Sequence, residues 1–386
     1  MSLSFDVAAR SVRDALTDAG QGLVEREAMV ELVALCAVAG EHLLVIGPPG
    51  TAKSEAVRRT ARALGGGYFE YLLGRFTEPS EIFGPVDLRK LREGLVETET
   101  AGMLPEAEVA FLDEVFLGST AILNTLLGLL NERVFRRGHT RMSCPLRVCV
   151  GASNALPEDE SLAAFADRFL ARTFVAPVPD PRLEELLAGG ASLWKAEEAR
   201  TASLEALDVL AQAAREADLG PVRPHLAHAL RTLRGAGIAL SDRRMVKAQR
   251  LVAAAAALAG RSTPGVADLW PLIYAVPTQE AQALARDVLR ELLAHSENPA
   301  LSAAALEASA GPLARAQRIA QAGRAVLDAR PGDGDAEALA SWRLKLEGVA
   351  REMDAGFAPE ALPEELRAVR EELRTALSQV PRTEAA

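Results

Sequence analysis

The sequence predicts an α/β fold: a five-stranded parallel sheet wrapped by helices, followed by an all-α lid and a further helical region. Three observations predict it. Short apolar runs alternate with helical stretches over the first 180 residues, the signature of βαβ units around a parallel sheet. Strand-like runs then vanish after the proline-rich stretch Pro177-Val-Pro-Asp-Pro181. Aromatics make up only 4% of the 386 residues, and the apolar content is carried by Ala, Leu and Val, which favours helices over an all-β sandwich.

The candidate strands are 43–46, 68–72, 109–112, 147–150 and 173–175. Between the third and fourth, Ile122, Leu123, Leu126, Leu127 and Leu130 fall on one face of a helix over 121–130. This arrangement predicts a first domain over 1–180. A second, helical domain is expected over 181–275, broken at Gly220-Pro221, Gly235-Ala-Gly237 and 260–264. A third helical region, 276–386, opens after Pro277 and is interrupted at Pro331-Gly-Asp-Gly-Asp335, read as a loop between two long helices or hairpin arms.

Composition narrows the function classes. With 49% apolar and 25% charged residues, the chain reads as a soluble globular protein with ample core. Forty-three Lys and Arg against 53 Asp and Glu give a net charge of −10, which lacks the diffuse positive field of a non-specific nucleic-acid binder. Three cysteines, Cys36, Cys144 and Cys149, form no CxxC pair and no disulfide frame. Cys144 and Cys149 lie near no convincing base and are expected in the core. His225 and His228 sit three apart on a predicted helix, without the acids or cysteines a metal site needs. The N-terminus carries charges where a signal peptide would be apolar, and the apolar stretch 32–46 is broken by Glu41 and His42. A cytoplasmic chain with no membrane span is expected.

The chemistry lies at the ends of the strands. Gly47-Pro48-Pro49-Gly50-Thr51-Ala52-Lys53-Ser54 follows the first strand and opens a helix, matching GxxxxGK[ST] except that Ala52 replaces the last glycine. Such a loop turns backbone N–H groups toward phosphates at a helix N-terminus. Lys53 is expected to reach the β and γ oxygens and the Ser54 hydroxyl to ligate Mg2+. Ala52 keeps the loop if its φ is negative. Sixty residues beyond Lys53, an apolar strand ends in Asp113 and Glu114. Side chains alternate along a strand, so the two diverge at its tip: Asp113 toward the metal, Glu114 toward the attacking water. Another buried strand ends at Asn154, whose amide offers donor and acceptor to that same water without adding charge.

The order of these pieces, with Asp167-Arg168-Phe169 before the fifth strand and Ser241-Asp-Arg243-Arg244 on a later helix, resembles an AAA+ P-loop NTPase. More narrowly it resembles the MoxR branch, and within it the regulatory ATPase variant A (RavA) type. Gly74-Arg-Phe-Thr-Glu-Pro79, Phe83-Gly-Pro-Val-Asp87, Leu104-Pro-Glu-Ala107, Leu129-Leu-Asn-Glu-Arg133 and Gly151-Ala-Ser-Asn154 carry the likeness over roughly residues 20–260. The resemblance implies Walker A roles for Lys53 and Ser54, Walker B roles for Asp113 and Glu114, and a sensor 1 role for Asn154. It implies an arginine finger at Arg168, with Arg172 as an alternative, and a sensor 2 at Arg243 or the adjacent Arg244, reaching the γ-phosphate from the lid.

A finger supplied by a neighbour makes the family norm, a hexameric ring, the expected assembly. The resemblance further implies an insert in helix 2 over 87–105 and a hairpin over 133–141. The hairpin's Arg136, Arg137, His139 and Arg141, around Phe135, are candidates for gripping an acidic peptide in a central pore. The function implied is an ATPase, using ATP and Mg2+, that remodels or activates a client protein, with a von Willebrand factor A domain protein as an expected partner. A nucleotide-gated scaffold without mechanical work is the alternative, and a nucleic-acid translocase a more distant one.

Overall fold

The computed structural model describes residues 3–193, 201–332, 336–356 and 364–379. Strands β1 (Leu43–Ile46), β2 (Tyr68–Leu72), β3 (Val109–Asp113), β6 (Val148–Ser153) and β7 (Ala171–Phe174) form one parallel sheet in the order β2-β3-β6-β1-β7. Strands β4 (Val134–Arg137) and β5 (Thr140–Ser143) form a separate antiparallel hairpin. The five expected strands are all present. The last begins earlier than expected, because Leu43 pairs with Ala171 and draws Arg172 into the ladder, a residue whose charge hides the strand from a reading of hydropathy.

The apolar runs serve both faces. Leu43, Val45, Val109, Phe111, Val148 and Val150 enter one core, while Leu44, Ile46, Ala110, Leu112 and Cys149 enter a second on the other side. Pleating sends successive side chains to opposite faces, so a strand covered on both sides is apolar throughout. Helix Thr120–Glu132 closes the second core with Ile122, Leu126 and Leu129, and its start is capped by the Ser119 hydroxyl.

The first core runs unbroken from Ala8 to Ala308 and includes helices Phe5–Gly20, Glu27–Ala39, Leu204–Glu216 and Asp242–Leu258. The region expected to begin at 276 therefore shares this core for its first thirty residues. A separate core, with Trp342, Leu346, Val349, Leu366 and Val369, joins helices Ser302–Asp328, Ala336–Gly356 and Glu364–Gln379. The expected loop at 331–335 falls between two of these helices, and its residues 333–335 lie outside the described residues. Among the described residues no helix is long and apolar enough to cross a membrane.

Ionic ties fix the helical region to the edge of the sheet where the strands begin. Glu41, just before β1 and fully buried, pairs with Lys247 at 2.5 Å and Arg250 at 2.9 Å on helix Asp242–Leu258. Glu31 accepts from the backbone N–H groups of Ala303 and Ala304 at 3.2 and 2.7 Å, so helix Glu27–Ala39 supplies the N-terminal cap of Ser302–Asp328. Burial pushes the Glu31 carboxyl up to about 7, against the pull of those two N–H groups.

A carboxyl raised on folding holds its proton more tightly in the native state, so its contribution is complete below the ordinary carboxylate value and is lost as pH rises through about 7. Thermal stability should fall between pH 5 and pH 8 by an amount on the order of 2 kcal/mol from this group. Glu31→Gln should flatten that part of the profile in melting curves; an unchanged slope would exclude Glu31 as its source.

Candidate functional site

Strand β1 ends at Ile46, and the loop that follows is wedged between the exits of its two neighbours. Gly47 N–H donates to Ser153 O at 3.0 Å, and a Cβ at Gly47 would lie 2.2 Å from Val175 O, so only glycine fits. Two left-handed residues then curl the chain, Gly50 with φ +77° and Ala52 with φ +57°. The loop forms with a positive φ at Ala52, so its retention does not require a negative φ there. Left-handed backbone costs a residue with a Cβ about 1–2 kcal/mol, a strain held here by the helix that starts at the next residue. Thr51 Oγ1 donates to Pro48 O at 2.9 Å and closes the turn.

Helix Lys53–Leu64 opens without a side-chain cap, leaving its first N–H groups for an anion. The Lys53 ammonium folds back into the loop and donates to Gly47 O at 2.8 Å and Pro48 O at 2.9 Å. Burial pushes its pKa down, while the Asp113 and Glu114 carboxylates oppose the shift, which brings the ends of β1 and β3 into one electrostatic site.

Asp113 is the last residue of β3 and accepts from the Glu114 N–H at 3.0 Å. Glu114 leaves the strand in a left-handed conformation, φ +48°. Asn154, just past β6, donates from Nδ2 to Glu114 Oε1 at 2.8 Å. The sheet order β3-β6-β1 therefore sets Asp113, Glu114, Asn154 and the loop side by side along the edge where the strands end.

The arginines lie on the other edge. Arg168 sits in the turn before β7, whose first residue pairs with the first residue of β1, so the length of a strand separates it from its own loop. Arg172 and Arg244 are buried inside their own chain. The first donates to Pro277 O and Ala166 O, the second to Ala275 O, Asp167, Phe169 O and Leu170 O, and neither is free to act as finger or sensor 2. Arg243 bonds Asn131 Oδ1 at the end of helix Thr120–Glu132, beside the Glu41 ties. Helix Asp242–Leu258 packs its apolar face on the main core and is tied to Glu41, so Arg243, expected as sensor 2, stands at the edge where the strands begin.

The hairpin is also less available than expected. Phe135 is buried and stacks on Phe83 with ring centroids 5.6 Å apart. Arg133 anchors the base through Leu130 O and Gly40 O, both at 2.8 Å, and Arg137 donates to Gly84 O at 3.0 Å. The insert docks on the tip: His139 N–H donates to Val96 O at 2.8 Å, and Val96 N–H donates to His139 Nδ1 at 3.2 Å. Arg136 pairs with Glu132, and Arg136 and Arg141 remain exposed. Cys144 and Cys149 are buried thiols, as expected, and His225 and His228 are exposed.

Comparison with known proteins agrees with this geometry. A family model described as the MoxR domain in the MoxR-vWA-beta-propeller ternary systems matches residues 10–213. The chain belongs to this MoxR family of AAA+ ATPases. Two uncharacterized proteins of Methanocaldococcus jannaschii are each 36% identical to it, over 251 and 248 residues, 64% of the chain in each case. The chain spans just under two thirds of their length, 64% and 66%. A putative ATPase of Cytophaga hutchinsonii superposes with a TM-score of 0.61 at 15% identity, covering 76% of this chain and 96% of that one, a likeness of fold.

One residue of this MoxR-family site escapes a reading of the sequence. Arg26, buried beneath the loop, donates from Nε to Thr51 O at 2.7 Å and from Nη2 to Ala176 O at 2.7 Å. It ties the phosphate loop to the chain leaving β7. No spacing rule signals it, since its acceptors are carbonyls 25 and 150 residues away.

Ala52→Gly should relieve the left-handed strain and raise stability by about 0.5–1 kcal/mol after the added freedom of glycine in the unfolded chain, with nucleotide affinity retained. Urea unfolding midpoints of the two proteins check this, and a lower midpoint would count against the strain.

Proposed function

We propose that this MoxR-family chain hydrolyses ATP with Mg2+ at sites shared between copies in a ring, and uses the cycle to remodel or activate a client protein. The observation that carries the reading is the division of the machinery between two edges of one sheet. Gly47 to Ser54, Asp113, Glu114 and Asn154 share one edge, and Arg168 lies on the other. A guanidinium that cannot reach its own loop is suited to a neighbour's.

The residues fit the ligands. Gly47, Pro48, Pro49, Gly50, Thr51 and Ala52 shape the cradle, the uncapped helix start supplies N–H donors, and Lys53 brings an ammonium already seated among loop carbonyls. Ser54 and Asp113 offer hard oxygen ligands for Mg2+, which when bound neutralises charge on the phosphates. Among the described residues no group of three His, Cys, Asp or Glu side chains could hold a metal alone, so the ion would share the oxygens of the nucleotide. Glu114, held by the Asn154 amide, is placed to accept a proton from water, and Asn154 keeps that carboxylate oriented.

The partner reading follows the family description, which sets the MoxR domain beside vWA and β-propeller components, so a von Willebrand factor A domain protein is the first client to test. The RavA-type likeness rests on motifs alone and adds no partner. With Arg136 and Arg141 as the hairpin's exposed arginines on an acidic chain, a peptide client is favoured over nucleic acid.

Lys53→Ala should abolish ATP binding. Glu114→Gln should bind ATP and lose turnover by about a hundredfold or more. Arg168→Ala should bind ATP normally yet lose the rise in specific activity with protein concentration that a shared site requires. Fluorescent-nucleotide titration and steady-state hydrolysis across a concentration series read all three. Normal hydrolysis by Arg168→Ala at every concentration would remove Arg168 from the site.

A further inference from the structure

Arg168 sits in a turn whose every neighbour is tied down. Asp167 Oδ1 accepts from Arg244 Nη1 at 2.9 Å, Phe169 O accepts from the same nitrogen at 3.3 Å, and Leu170 O from Arg244 Nη2 at 2.6 Å. On the other side, Ala166 O accepts from Arg172 Nη2 at 3.1 Å. The Phe169 ring packs over Gly151, where a Cβ would come within 2.9 Å of it, and stands edge-on to Phe165 at 5.7 Å. Arg168 Nε, like Arg172 Nε, is buried without a hydrogen-bond partner. Residues 166, 167, 169 and 170 are each tied by side-chain contacts, and Arg168 lies partly exposed between them.

The same two guanidiniums reach into the helical region. Arg244 Nε donates to Ala275 O and Arg172 Nη1 to Pro277 O, both at 2.9 Å. The Arg172 N–H donates to Tyr274 O at 2.8 Å, and the Gln282 amide bridges Arg172 O and Val276 O at 2.9 and 3.0 Å. Two cations buried this close disfavour each other. Burial and then the neighbouring Arg244 lower Arg172 to about 10, with only Asp167 opposing. An ordinary apolar packing of the turn would avoid that cost. What the arginines add is a planar fork of fixed donors that can hold several carbonyls in one geometry.

We propose that Arg244 and Arg172 are positioning residues: they hold the Arg168 turn against the anchored segment 274–277, so that Arg168 is presented to the neighbouring copy in a fixed direction. The proposal rests on the reading of Arg168 as a finger acting between copies, and the test separates the two.

The full chain carries Arg244→Lys or Arg172→Lys, which keep the charge and lose the fork. Each should lower kcat about tenfold or more, with KM and the affinity for a fluorescent ATP analogue within about twofold of the parent. The decisive measurement mixes each variant with Glu114→Gln subunits at constant total concentration. In a mixed assembly the intact loop and Glu114 of the Lys variant face the intact Arg168 of the other, so hydrolysis should recover above the sum of the two. Arg168→Ala mixed with Glu114→Gln is the reference and should recover likewise.

Failure of that reference mixture would overturn the finger reading, and the proposal with it. Recovery there, together with parent-like kcat in the Lys variants or no recovery in their mixtures, would overturn the positioning role alone. Should either Lys variant fail to fold, Asp167→Asn removes only the charged arm of the clamp; it should lower kcat severalfold and recover in the same mixture, and parent-like kcat would again overturn the proposal.

Discussion

Strand β1 is four residues long, and its length, about 13 Å, divides the chemistry of this protein. In a parallel sheet every strand ends on the same edge, so loops that need a helix N-terminus and loose carboxylates collect there. Gly47, Lys53, Asp113, Glu114 and Asn154 follow that rule. Arg168 precedes a strand, so the same rule puts it on the far edge. Neither group can be moved without breaking the register Leu43 to Ala171, so the two stand a strand's length apart within one chain.

The far edge is built from charges that are consumed internally. Glu41 is fully buried under Lys247 and Arg250, and Arg133, Arg172 and Arg244 spend their donors on carbonyls of turns that no ladder satisfies. Buried backbone oxygens need partners, and a guanidinium with five donors on a long stem can reach several of them at once. This is why Arg172 and Arg244 are taken up within their own chain. It also explains why helix Asp242–Leu258, bound by Glu41 and by Asp167, belongs to the back of the sheet.

Arg26 does on the near edge what Arg244 does on the far one. It fastens the loop at Thr51 to the exit of β7 at Ala176, so the strained Ala52 is supported from below as well as by the helix in front. Strain of this kind persists only where the surroundings over-determine it. Gly47, with no room for a methyl group against Val175, supplies the third constraint.

Local chemistry was legible in the sequence. The five strands, the loop ending in Lys53 and Ser54, the strand that delivers Asp113 and Glu114, and the meeting of Asn154 with Glu114 all follow from short-range patterns: apolar runs, a glycine-rich turn before a helix, and polar residues at strand tips. What the sequence could not decide was the sign of φ at Ala52, the employment of each arginine, the insert's docking on His139, or the side of the sheet taken by Arg243. Those depend on partners tens to hundreds of residues away, as Arg243 on Asn131 and Lys247 on Glu41 show. An arginine's spacing records neither burial nor which carbonyls lack a donor; only the packed chain fixes both.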